Sequence, residues 1–201
     1  LGNLRILEDD EVTLQSVQAE NGSIEIVSGG TLTAELVEVL TDIAQASTFD
    51  ISLRATAGDI LIDLVDAGLL HNDLSITAEA GSIEEVNPED GGVDLIADVA
   101  TLNATGGIGG SFALETSFNE LIADSTVSGN IDLNETDGIL LTRVTTESGD
   151  IIFDAAAGNT LVNVVRAGAA RGSDLFMNVL AGSLLEAGAG DADADLQARN
   201  V

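Results

Sequence analysis

One short phrase returns along this chain at close intervals, and that repetition limits its fold more than any other feature. Gly129-Asn-Ile131-Asp-Leu133 runs into a polar turn ending at Gly138 and then Ile139-Leu-Leu141-Thr-Arg-Val144. Twenty residues after Gly129 it restarts as Gly149-Asp-Ile151-Ile-Phe153. Strict alternation places Ile131 and Leu133, then Ile151 and Phe153, on one face of a strand. A strand of about five residues cannot bury that face alone, but a chain that repeats the strand can stack each turn on the one before. Asp132 and Asp150 then point outward, and replacing Asp150 is expected to cost little.

The same Gly-x-(Ile/Leu) phrase stands at Gly2, Gly22, Gly58, Gly81, Gly106, Gly129, Gly149 and Gly182, at spacings of 20, 36, 23, 25, 23, 20 and 33 residues. The two long intervals read as a coil with an insertion, or as two short coils with one glycine lost. A second phrase leads into three of these glycines: Asp50-Ile-Ser-Leu, Asp73-Leu-Ser-Ile and Asp174-Leu-Phe-Met. Two interleaved phrases at one period call for several strands per coil, with glycine at the corner between faces. The pattern predicts an all-β fold, a right-handed parallel β-helix (β-solenoid) of roughly nine coils of about 20–25 residues each. No heptads occur, and no composition shift divides residues 1–201, which read as a single solenoid segment. One stretch departs from alternation. Thr33–Ser47 places Leu36, Val37, Leu40, Ile43 and Ala44 at helical spacing, so a short inserted helix is the alternative there to ordinary strands.

Composition decides between a packed and a disordered chain. Thirty-five acidic residues face 6 basic ones, a formal net charge of −29. That balance makes nucleic acid and anionic membranes poor partners. Yet 45% of the residues are hydrophobic, enough for a continuous aliphatic core, which excludes disorder. Aromatics are 2%, in keeping with a thin core of stacked aliphatic side chains. The absence of cysteine removes disulfide and thiol chemistry and leaves the compartment open. No apolar run approaches the roughly 20 residues that span a bilayer. There is neither a signal peptide nor an initial Met, so the chain reads as a piece of a longer repetitive one.

Gly106-Gly-Ile108-Gly-Gly, Leu114-Glu-Thr-Ser117, Ser128-Gly-Asn-Ile-Asp-Leu133 and Thr145-Thr-Glu-Ser-Gly-Asp-Ile151 resemble repeats of large filamentous-haemagglutinin-like bacterial surface proteins. The resemblance runs from Gly2 to Leu184. It implies an extracellular, rod-forming, non-catalytic segment of a long adhesin or fibre at the bacterial cell surface. The secretion-signal domain that opens those proteins has no counterpart here.

Few residues invite a chemical reading. Polysaccharide lyases resemble this architecture, and cleaving a uronate polymer needs a base, often Arg or Lys, with basic residues to hold the substrate. The six cations are Arg5, Arg54, Arg143, Arg166, Arg171 and Arg199; they are scattered, and no catalytic residue is assigned. His71, the single histidine, reads as a solvated turn residue. Gly106–Gly110 lacks the Lys and Ser/Thr of a phosphate loop and reads as a coil corner. Threonines at 101, 105, 145 and 146 do not recur at one coil position. Asp191, Asp193 and Asp195 alternate behind Gly188 and Gly190, a spacing at which carboxylates can hold Ca²⁺, although the calcium-binding nonapeptide pattern is not repeated. Solvated carboxylates are the plainer reading there, as for Asp9-Asp-Glu11 and Glu84-Glu85. No cofactor or metal-ligating residue is assigned.

Three functions are therefore set side by side: a structural stalk, an acidic solenoid that binds divalent cations or a cell-surface ligand, and a polysaccharide-active enzyme. The expected partners are adjacent coils of the same longer chain, or copies of itself joined head to tail.

Overall fold

The computed structural model describes residues 2–41, 48–87, 91–168, 172–188 and 195–198. Among them every regular element is a strand, and every strand pairing is parallel. No helix among the described residues is long and apolar enough to cross a membrane. Parallel strands buried on the inner side favour runs of Val, Ile and Leu, and short strands broken by polar turns let the chain wind instead of forming an open sheet.

The winding is a parallel β-helix with three faces per coil in its first half. In the first coil these are Leu4–Glu8, Val12–Leu14 and Val17–Ala19. Each face stacks in register on the next coil, as Leu4 on Ile24, Val12 on Leu32 and Val17 on Val37. Following the first face upward, register partners lie at Leu4, Ile24, Ile51, Leu74, Ala100, Leu121 and Leu141, and then at Val144, Val165 and Leu196. That path makes eight full turns where about nine were expected, with 20 to 31 residues per turn. At roughly 4.8 Å per turn the stack is about 38 Å tall.

The long glycine intervals have a different cause from an insertion or a lost glycine. Gly2 and Gly22 lead into Leu4 and Ile24 on the first face, whereas Gly58, Gly81, Gly129 and Gly149 lead into Ile60, Ile83, Ile131 and Ile151 on the second. From Ile24 the next turn arrives at Ile51, and the second face starts nine residues later at Ile60. From Ile151 the next turn arrives at Leu175, and Leu184 follows nine residues later. The phrase marks two corners of one coil, because both corners bring backbones too close for a side chain. Gly129 shows the constraint: its φ is 114°, and a Cβ there would lie 2.4 Å from the Gly107 nitrogen.

Inside, side chains from equivalent positions form columns. Ile26, Leu53, Ile76, Leu102, Ala123, Val144 and Val165 make one. Leu32, Ile60, Ile83, Ile108, Ile131, Ile151 and Leu175 make another. All of these are buried, and Ile131, Leu133, Ile151 and Phe153 point inward as the alternation requires. At about 1.5–3 kcal/mol for each fully buried aliphatic side chain, these columns are the main stabilising element. The corner after the first face carries Ser28, Ala55, Ala78, Ala104, Ser125 and Thr146 in one column. Its hydroxyls are satisfied locally: Ser28 donates to the Asp10 carbonyl at 2.7 Å and Ser125 to the Gly106 carbonyl at 2.8 Å.

Within Thr33–Ser47 the described part forms strands, Leu32–Ala34 and Val37–Val39, with Leu32, Ala34, Val37 and Val39 buried. Stacking on the neighbouring coils outweighs the helical spacing at these positions. Residues 42–47 lie outside the described residues.

Candidate functional site

The polar residue inside the glycine phrase has a structural task. Asn130 Oδ1 accepts a hydrogen bond from the Asp150 N–H at 2.9 Å, and Asp150 Oδ1 accepts one from the Asp174 N–H at 2.8 Å. The same link joins Asn3 to Ser23, Asp50 to Asp73, Asp59 to Ser82 and Asn159 to Ser183. Short Asn and Asp side chains bond nearby backbone readily, and here they reach one coil along the rod. Asp150 is therefore half-buried and bonded, not a free outward residue whose loss costs nothing.

Three of the described arginines pair with acids of neighbouring coils on the first face. Arg5 pairs with Glu25 at 2.8 Å, Arg54 Nε with Glu79 at 2.8 Å, and Arg143 Nε with Asp124 at 3.1 Å. Arg166 lies on the same face, stacked on Thr145; Arg171 and Arg199 lie outside the described residues. His71 is about half exposed with Nδ1 3.9 Å from Asp98, a turn position as expected. Gly107 and Gly109 are buried at a coil corner, where Ile108 bridges Ile83 and Ile131. Thr101 stacks between Ser75 and Ile122 and Thr145 on Asp124, so no threonine ladder forms at these positions.

Carboxylates converge in three places. Glu85, Asp94 and Glu115 bring ligand oxygens within 4.8 Å of one another. Asp94 is 1% exposed, and its Oδ2 accepts the Glu115 N–H at 2.8 Å. Asn134 donates to Glu115 Oε1 at 3.1 Å from the following coil. Oxygen-only donors of this kind suit a hard divalent ion, with further ligands from carbonyls or water. Glu84 and Glu85 are thus not a solvated turn. They lie in the strand Ile83–Glu85, half-buried, and Glu84 accepts the Ser111 N–H at 3.1 Å. Asp9, Asp10 and Glu11 are exposed as expected. Of the alternating aspartates near the end of the chain, Asp191 and Asp193 lie outside the described residues, and Asp195 precedes the strand Leu196–Gln197.

On the outer surface, burial first and then neighbouring carboxylates push two aspartates above the ordinary range. Asp132 faces Asp154 and Glu115; Asp73 faces Asp50, Asp98 and Glu120. Among the described strand residues a single carboxyl group, that of Glu135, lies inside the rod. Glu135 continues the alternation Ile131-Asp-Leu133-Asn-Glu135 and is 1% exposed. That parity marks it as inward in the sequence, but only the stack shows that it meets Thr116 below and Ala155 above.

Comparison with models of known protein families, with curated proteins and with solved structures finds no match for the chain.

Proposed function

We propose that this chain is a structural, non-catalytic segment of an extracellular bacterial fibre or adhesin stalk. The observation that carries the reading is the unbroken stack: aliphatic columns run through it from coil to coil, and each described coil hydrogen-bonds mainly to its two neighbours. Such a quasi-one-dimensional solid transmits load along its axis and can be lengthened by adding coils. The resemblance to filamentous-haemagglutinin-like repeats supports the same reading. So do Leu180, Leu184 and Leu185, which are apolar and exposed in the last coils. We propose adjacent coils of the same longer chain, or copies joined head to tail, as its partners. Immunogold labelling of intact cells of the organism that encodes it tests the proposal. Gold on surface filaments is expected, and label confined to the cytosol of sectioned cells overturns it.

The convergence of Glu85, Asp94 and Glu115 favours a second reading, in which the acidic solenoid takes up divalent cations. Calorimetric titration with Ca²⁺ tests it against the variant Glu115→Gln. Heat that persists unchanged in the variant removes these residues from the site.

A further inference from the structure

Among the described residues, Glu135 is the one charged side chain that a strand buries inside the rod. Its carboxylate accepts the Thr116 hydroxyl at 2.9 Å, the Phe118 N–H at 3.3 Å, the Thr136 N–H at 3.0 Å and the Asp137 N–H at 3.3 Å. These donors belong to two successive coils. Thr116 and Phe118 lie in the strand Leu114–Ser125, while Thr136 and Asp137 form the turn where the strand Ile131–Glu135 ends. One carboxyl group therefore joins the two coils at the point where the upper strand leaves the stack. We propose that Glu135 is a proton-operated latch: uncharged, it holds this corner of the rod closed, and ionised, it weakens the corner and lets the two coils part locally.

The surroundings of Glu135 determine the direction. The inward residues of the strands packed around it are uncharged: Leu95 and Ala97 from Leu95–Ala104, Leu114, Thr116 and Phe118 from Leu114–Ser125, Ile139 and Leu141 from Ile139–Thr146, and Ile151, Phe153 and Ala155 from Ile151–Ala155. The charged groups on these elements are all acidic near the site: Asp137 in the turn, and Glu115, Asp132 and Asp154 on the outer side. The described ion pairs of Arg5, Arg54 and Arg143 are made with Glu25, Glu79 and Asp124 instead. Four donated hydrogen bonds favour the anion, but desolvation is the larger effect, and the group is pushed up to about 7. A folded value above the unfolded one gives stability that is complete below the unfolded value and is lost as the pH rises through the folded one. The latch is closed in mild acid and released above neutrality.

Site-resolved amide hydrogen exchange at Phe118, Thr136 and Asp137 between pH 5 and 8, corrected for intrinsic exchange rates, tests this directly. With Glu135 shifted from 4.5 to about 7, linkage predicts that protection falls on the order of 50-fold over that range. In Glu135→Gln, which keeps the volume and one acceptor oxygen but cannot ionise, the fall is expected to disappear. Asp73 and Asp132 titrate in the same direction in both proteins, so the difference between the two isolates Glu135. Protection in the natural protein that stays constant within about threefold overturns the proposal, as does an equal fall in the variant. Should the variant not fold, the carboxyl-carbon titration of Glu135 in the natural protein decides. A midpoint near 7 sustains the latch, and one in the ordinary glutamate range overturns it.

Discussion

Replacing Asp150 by alanine probes how successive coils are held in register. Its Oδ1 takes the Asp174 N–H at 2.8 Å, and its own N–H is held by Asn130 at 2.9 Å, so it is the middle rung of a ladder across three coils. A hydrogen bond to a charged group contributes about 1.5–3 kcal/mol, and half-burial places this one at or below the lower end. Removing one negative charge from a chain of net charge −29 returns a few tenths of a kcal/mol through weaker repulsion. The balance is a loss of about 1 kcal/mol. For a domain of this size that lowers the midpoint of thermal unfolding by about 2–4 °C. Asp150→Asn retains the acceptor oxygen and sheds the charge, so it should melt within about 1 °C of the natural protein. Circular dichroism melts give the midpoints, and hydrogen exchange of the Asp174 amide reports the bond itself. An alanine variant that matches the asparagine variant in both measurements would refute the ladder as a source of stability.

Other consequences follow from the same geometry. Ile151→Asp buries a carboxylate in a column between Ile131 and Leu175, at a cost of several kcal/mol, and loss of cooperative folding by circular dichroism is the expected result. Gly129→Ala sets a Cβ 2.4 Å from the Gly107 nitrogen at a φ of 114°. It should destabilise the fold by more than 1 kcal/mol, read from denaturant midpoints, whereas Gly2→Ala meets nothing within 4 Å and should be silent. Salt should raise the melting temperature by screening the stacked carboxylates. Ca²⁺ should raise it further than NaCl at equal ionic strength, and that excess should vanish in Glu115→Gln.

The alternation of Ile131, Leu133, Ile151 and Phe153 was enough to establish which side chains face inward, because strand parity is a local property of the backbone. The recurrence of glycine likewise showed where the chain must turn, since a corner that crowds two backbones excludes a side chain whatever lies elsewhere. Neither could show which corner a given glycine serves. Gly22 and Gly58 carry the same phrase yet open different faces, and that distinction depends on which coil each strand stacks upon. Register also decided the fate of the polar residues. Asp150 looks outward by parity but reaches a backbone amide one coil away. Glu85, Asp94 and Glu115 are separate in the chain and meet only because two coils are stacked in one alignment. Glu135 has inward parity in its own strand, but its burial requires the strands Leu114–Ser125 and Ile151–Ala155 on either side. Inward or outward is a choice each strand makes from its own residues; burial and pairing depend largely on neighbours about one coil away in the chain, brought alongside only when the coils close.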